Sequence, residues 1–121
     1  MHIEGYSNYT YDSLRFKEYM NDLILAGYSV DMITKGIYKC QKHRYIVTFG
    51  SHIHVDYVEH PGKPPLPVLT TSGMRFFNYN NVPDIDIIKI MTQLPDNGTL
   101  EDLIIRVENY KNNKAIDELE G

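Results

Sequence analysis

The chain has 121 residues, 42% of them apolar and 23% charged, with a formal net charge of −4. That balance excludes a disordered chain, and a single cysteine, Cys40, excludes a disulfide framework or a CxxC site. Sixteen acids outnumber twelve bases and are scattered, so a non-specific nucleic-acid surface is excluded as well.

The first element is a helix over "YDSLRFKEYMNDLILAG". Leu14, Phe16, Tyr19, Met20, Leu23 and Ile24 recur at three- and four-residue spacing. Asp12 or Ser13 is the expected N-cap, and Gly27 stands where a left-handed C-terminal residue belongs.

Alternating strands follow. Tyr28, Val30 and Met32 form one apolar face, and "TKG" is a turn. Tyr38 and Cys40 continue that face, then Tyr45, Val47 and Phe49. A two-residue turn at Lys42-His43 sets Cys40 opposite Tyr45 and Tyr38 opposite Val47, apolar against apolar. At the next reversal a two-residue loop would mix the faces. A three-residue loop, Gly50-Ser51-His52, instead pairs Phe49 with Ile53, Val47 with Val55 and Tyr45 with Tyr57. The common form of that loop places its third residue, here His52, in the left-handed region.

"HPGKPPLP", residues 60–67, has four prolines in eight positions and reads as an extended surface crossing. Its PxxP spacing is too common to mark an SH3-type ligand. "VLTTSGMRFFNY" reads as a hairpin turning at Ser72-Gly73. "NNVPDIDIIKIMTQL" opens a helix, with Asn81 as N-cap, Pro83 in the first turn and a buried stripe of Ile87, Ile88, Met91 and Leu94. A last helix starts at Thr99, where Thr99 and Asp102 form a capping box and Leu100, Leu103, Ile104 and Val107 point inward. The tail 114–121 extends this helix or frays. The layout is α+β, one domain over 1–121. It has an N-terminal helix, an antiparallel sheet of about five to six strands, and two C-terminal helices on one sheet face.

Two stretches carry candidate chemistry. In "SHIHVDYVEH", His52, His54 and Asp56 alternate, as ligands for zinc or iron can. The HxHxD pattern resembles the metal motif of the metallo-β-lactamase fold, but Tyr57 stands where that family has histidine, and the other ligands are missing. On the chosen register His54 and Asp56 lie on the solvent face beside Ile46 and Thr48, so no metal and no cofactor are expected. No GxSxG, P-loop or Rossmann glycine pattern occurs, and Cys40 sits on the buried face, where a thiol is inert.

"MRFFNYNN" is the second stretch. Met74 and Phe76 share one strand face; Arg75, Phe77 and Tyr79 share the other. Burying the second set would bury Arg75, so Met74 and Phe76 are expected inward. Arg75, Phe77 and Tyr79 then form a stacking surface, with the amides of Asn78 and Asn80 beside them and a helix N-terminus just beyond. Such a patch suits an interface with a second copy or another protein, a nucleotide-like ligand, or plain packing under another element of the chain.

The usage of 13 Ile, 10 Tyr, 9 Asn and 8 Lys against 2 Ala and 4 Arg indicates an AT-rich genome, such as a low-G+C bacterium or its phage. With no membrane-length apolar run and no signal-like start, the expected place is the cytoplasm of a bacterial host. The expectation is a small non-enzymatic binding protein of phage type, which inhibits a host defence factor or sequesters a small nucleotide signal, and which forms homo-oligomers. The alternatives are a hydrolase using His52, His54 and Asp56, or a structural or assembly subunit.

Overall fold

The structure, a computed structural model, describes residues 4–71 and 80–120, with side chains over 14–71 and 80–113. Helix α1 spans Glu4–Leu25. It starts well before Asp12 and Ser13, so neither caps it; the preceding stretch contains no proline to stop a helix. Tyr19, Met20 and Leu23 are buried, and Phe16 packs beside them. Leu14 falls on the opposite side of the helix and Ile24 about 100° from the stripe, and both are exposed. The helix ends as expected at Gly27. Gly27 N–H bonds Ile24 O at 3.0 Å and Tyr28 N–H bonds Leu23 O at 2.9 Å, the nested pair of a Schellman ending. Gly27 takes φ 104°, which a side chain would resist.

Six strands follow: β1 (Ser29–Thr34), β2 (Ile37–Lys42), β3 (Tyr45–Phe49), β4 (Ile53–Tyr57), β5 (Leu66–Thr70) and β6 (Asn80–Asn81). They lie side by side in chain order. The pairs from β1 to β5 are antiparallel, and β6 runs parallel to β5, so the sheet is mixed. The loop Gly50-Ser51-His52 gives the expected register, with Phe49 opposite Ile53, Val47 opposite Val55 and Tyr45 opposite Tyr57. His52 does not enter the left-handed region; among the described residues His43 is the one non-glycine that does, at φ 54°.

The β2–β3 turn lies at His43-Arg44, not at Lys42-His43. Lys42 pairs with Tyr45, Cys40 with Val47 and Tyr38 with Phe49. The register has slid by two residues, which keeps every side chain on its expected face but carries Lys42 onto the buried one. The proline segment also ends earlier than expected. Residues 59–65 are exposed, while Leu66 and Pro67 belong to β5. Pro67 sits opposite Asp56 where the β4–β5 register shifts, an irregularity of the kind that tolerates a residue with no N–H.

The hairpin expected at Ser72-Gly73 has its turn and returning strand in 72–79, outside the described residues. The next residues, Asn80 and Asn81, pair with Leu69 and Thr70 in the parallel sense. Asn81 is therefore a strand residue and not a helix cap. Helix α2 (Asp84–Thr92) has Pro83 at its N-cap and no side-chain cap. Ile87, Ile88, Met91 and Leu94 are buried as expected, and Ile90 with them. Helix α3 spans Leu100–Glu120, so the tail extends this helix as far as Glu120. Its capping box is formed: Thr99 N–H donates to Asp102 Oδ2 at 2.9 Å and Asp102 N–H to Thr99 Oγ1 at 3.2 Å. Leu103 and Val107 are buried and Leu100 packs beside them, but Ile104 is exposed.

One core gathers the inner sheet face and the helices. Cys40, Tyr45, Val47, Phe49, Ile53 and Val55 meet Leu23, Met91, Leu103 and Val107, and Phe16 sets its ring edge-on to Phe49 with centroids 5.2 Å apart. Each of these fully buried aliphatic chains stabilises the fold by about 1.5–3 kcal/mol relative to exposure.

Candidate functional site

Four of the five residues in the aromatic stretch, Arg75, Phe77, Asn78 and Tyr79, lie outside the described residues. The fifth, Asn80, is half-buried and bonded at both ends of its amide. Its Nδ2 donates to Val68 O at 3.1 Å, and its Oδ1 accepts from Lys111 Nζ at 3.0 Å. Val82 N–H then bonds Thr70 O at 2.9 Å. On the other side of the stretch, Thr71 is doubly held to Ile53. Thr71 N–H donates to Ile53 O, and Ile53 N–H to Thr71 Oγ1, both at 3.0 Å. The two described residues that flank 72–79, Thr71 and Asn80, are thus both held by hydrogen bonds to neighbouring elements.

The helix N-terminus beyond Asn80 is already furnished with carboxylates. Asp84 and Asp86 occupy the first turn of α2. Ile85 N–H donates to Asp84 Oδ1 at 2.6 Å, and Asp86 N–H and Ile87 N–H donate to Pro83 O, both at 3.0 Å. Arg15 Nη1 donates to Asp84 Oδ2 at 3.1 Å, and Tyr110 Oη to Asp86 Oδ2 at 2.8 Å. Burial first, and then the Asp84 charge, raises the Tyr19 hydroxyl pKa nearby. Two acids here answer the positive end of the helix dipole, which leaves a phosphate little to gain.

The histidine strand is less wet than its alternation suggests. Ile46 and Thr70, on the same face as His54, are buried, Thr70 to 1% exposure. His54 is half-buried, and its Nδ1 lies 3.0 Å from Thr70 Oγ1, its cross-strand neighbour. Burial lowers the His54 pKa; Asp56 opposes this, and His52 adds to it. The His52 and His54 rings stand edge to face, 6.1 Å between centroids. Among the described residues no three His, Cys, Asp or Glu side chains are grouped so as to hold a metal ion. Cys40 is fully buried, and burial pushes its thiol up to about 12.

Sequence reasoning missed the most connected polar side chain of the core. Lys42 is only 6% exposed. Its Nζ donates to Ala26 O at 2.9 Å and to Leu94 O at 2.8 Å, and sits 5.1 Å from the centre of the Tyr28 ring. Those carbonyls lie just past the C-terminal ends of α1 and α2, Ala26 directly after Leu25 and Leu94 two residues after Thr92, where a cation meets the negative dipole end. Two tyrosines extend the pattern: Tyr28 Oη donates to Met91 O at 2.9 Å and Tyr45 Oη to Thr99 O at 2.7 Å. Burial raises both phenols, Tyr45 to about 12. The available signal was a lysine in phase with Tyr38 and Cys40 just before a turn. This is an architectural joint, since every donor faces a backbone carbonyl.

An open groove of about 550 Å³ lies between the end of α2 and α3. Gln93, Pro95, Asp102, Ile105, Arg106 and Asn109 line it, and Arg106 Nη1 bonds Gln93 Oε1 at 3.0 Å across it. No helix among the described residues is long and apolar enough to cross a membrane. Compared with protein-family models, curated proteins and solved structures, the chain matches none of them.

Proposed function

We propose that this chain is a small non-enzymatic binding protein, and that it engages a protein partner through Arg75, Phe77 and Tyr79, with Asn78 beside them. The observation behind the proposal is the anchoring of the two described residues that flank them. Thr71 is tied to Ile53, and Asn80 to Val68 and Lys111. Binding residues are commonly carried on short stretches whose two flanks are fixed to a rigid scaffold. Aromatic rings and arginine are the side chains that carry most binding energy at protein interfaces. A small nucleotide signal is the second ligand class the residues suit. The carboxylates at the start of α2 favour the protein partner over it. The AT-rich residue usage and the absence of a catalytic motif extend the proposal to a phage protein that blocks a host defence factor.

The test pairs stability with capture. Tagged wild-type protein is used to isolate its partner from an extract of the source cells, and native mass spectrometry reports what is bound. Phe77→Ala and Arg75→Ala should melt as the wild type does and lose the partner. A Phe77→Ala protein that unfolds would place Phe77 in the core. A folded one that keeps its partner would remove the segment from the site. Either result ends the proposal.

A further inference from the structure

We infer that Asn97 is a site of spontaneous covalent modification, deamidation through Gly98, and that Tyr45 and the capped start of α3, closed around Gly98, hold it back in the folded chain. Asn97-Gly98 is the one Asn-Gly step in the sequence. An asparagine side-chain amide is open to attack by the main-chain nitrogen of the next residue, and a glycine there has no Cβ to hinder the approach. Asn97 is exposed, in the loop that joins α2 to α3.

The glycine is required by the packing. Gly98 is buried, and a Cβ built on it would stand 2.8 Å from Tyr45 Cζ. A residue without a side chain lets the phenol lie against the loop and donate to Thr99 O at 2.7 Å. The contact that admits Tyr45 thus creates the reactive pair, and the same contact restrains it. Gly98 N–H donates to Pro95 O at 3.2 Å, closing a turn whose central residues are Asp96 and Asn97. Before the turn, Lys42 Nζ holds Leu94 O at 2.8 Å; after it, Thr99 N–H donates to Asp102 Oδ2 at 2.9 Å. To react, the Gly98 nitrogen must give up its proton, and with it the bond to Pro95. It must also turn toward the Asn97 carboxamide within a backbone fixed at Leu94 and Thr99.

The reaction consumes water alone and changes no oxidation state. Gly98 N bonds Asn97 Cγ, the Cγ–Nδ2 bond breaks, and ammonia leaves with the glycine proton. Water then opens the cyclic imide at either carbonyl. Opening at Cγ gives aspartate. Opening at the main-chain carbon gives isoaspartate, which routes the backbone through the former side chain and lengthens it by one carbon. The longer chain does not fit a turn pinned at Leu94 and Thr99, so the product keeps the loop open. Both products also add a carboxylate beside Asp96, which is 89% exposed. Local opening of this loop is thereby converted into a change that closing does not reverse. The site is separate from the segment 72–79 and does not depend on that segment's role.

The experiment is peptide mapping by mass spectrometry of the full chain, held at mildly alkaline pH both folded and in urea. In urea Asn97 should convert to a mixture of aspartate and isoaspartate, ahead of the other asparagines, each of which precedes a residue with a side chain. In the folded protein the conversion should be slower by roughly ten-fold or more, because local opening must come first. Tyr45→Phe removes the bond to Thr99 O, and Asp102→Ala removes the cap on Thr99. Each should keep the wild-type circular dichroism and convert Asn97 faster than the folded wild type does. A wild type that converts at one rate folded and unfolded overturns the inference, and so does an Asn97 that stays intact in urea. Folded variants that convert no faster than the wild type overturn it as well. Should Tyr45→Phe unfold, Asp102→Ala decides by the same comparison.

Discussion

Replacing Lys42 by methionine tests whether the buried ammonium holds the fold together or burdens it. Methionine matches the length and apolar stem of lysine but donates nothing. The substitution leaves Ala26 O and Leu94 O without the donors that stand 2.9 and 2.8 Å away. An unsatisfied buried acceptor costs about 1–3 kcal/mol, so two cost about 2–6. Relief of the desolvation of a buried charge offsets part of this. The expected net loss is about 3 kcal/mol, or a fall in Tm of roughly 10 °C for a domain of this size. Asp96 provides the control. Its carboxylate is 3.6 Å from Lys42 Nζ but 89% exposed, so Asp96→Ala should change stability by less than about 0.5 kcal/mol. Urea unfolding monitored by circular dichroism gives both numbers, with an unchanged m-value showing that the same transition is compared. A Lys42→Met protein that melts at or above the wild-type temperature would refute the reasoning. The ammonium would then be a net liability, and the two helix ends would be held by packing alone.

Three further substitutions probe the same architecture. Val47→Asp places a carboxylate between Cys40 and Val55 on the fully buried face; it should cost several kcal/mol and give an unfolded protein by circular dichroism, and a normal melt would mean that the face assignment is inverted. A Cβ on Gly98 would lie 2.8 and 2.9 Å from the Tyr45 ring carbons Cζ and Cε2; Gly98→Ala should lower Tm while Gly98→Ala with Tyr45→Phe recovers part of the loss, and an unchanged Gly98→Ala melt would show that the ring has room. Burial holds the folded His54 pKa below its unfolded 6.5, so the unfolded chain takes up its proton first as pH falls. Stability from this group is complete above about pH 6.5 and is lost as pH drops through it, so His54→Gln should flatten the decline seen in urea midpoints between about pH 7 and 5. An equal slope in both proteins would locate the acid sensitivity elsewhere.

The parts of the fold legible in the sequence were those decided by a single alternating face. The β3–β4 register followed from pairing Phe49, Val47 and Tyr45 with Ile53, Val55 and Tyr57, because the two-residue loop that competes with it mixes buried and polar positions. One turn earlier the same logic slid by two residues. It treated a lysine as a turn residue, since nothing local shows that two helix ends will converge on Lys42 to receive its charge. Pro67 was placed outside the sheet for a similar reason: proline is barred from regular pairing, and only the partner strand reveals the irregularity that admits it. Asn81 illustrates a third kind of ambiguity. An asparagine two residues before a proline is a credible helix cap, yet pairing with Thr70 drew it into β6. Of the candidate site, Asn80 lies in β6, and its amide serves Val68 and Lys111. The His52–His54–Asp56 face was read as wet because alternation reports which residues share a side, and not what lies over that side.

The order of elements along the chain has a consequence for how the protein is made. From β1 to β4 every strand pairs with its immediate successor, through turns of two or three residues. Such short loop closures are the fastest available, so this meander can assemble while synthesis continues. Helix α1, which covers part of it, is made first, but the rest of its cover arrives last: Met91, Leu103 and Val107 follow β5 by tens of residues. Until they emerge, the inner sheet face is only partly covered. The nascent chain is therefore most prone to self-association, and most in need of a chaperone, in the interval between the synthesis of β5 and the docking of α3.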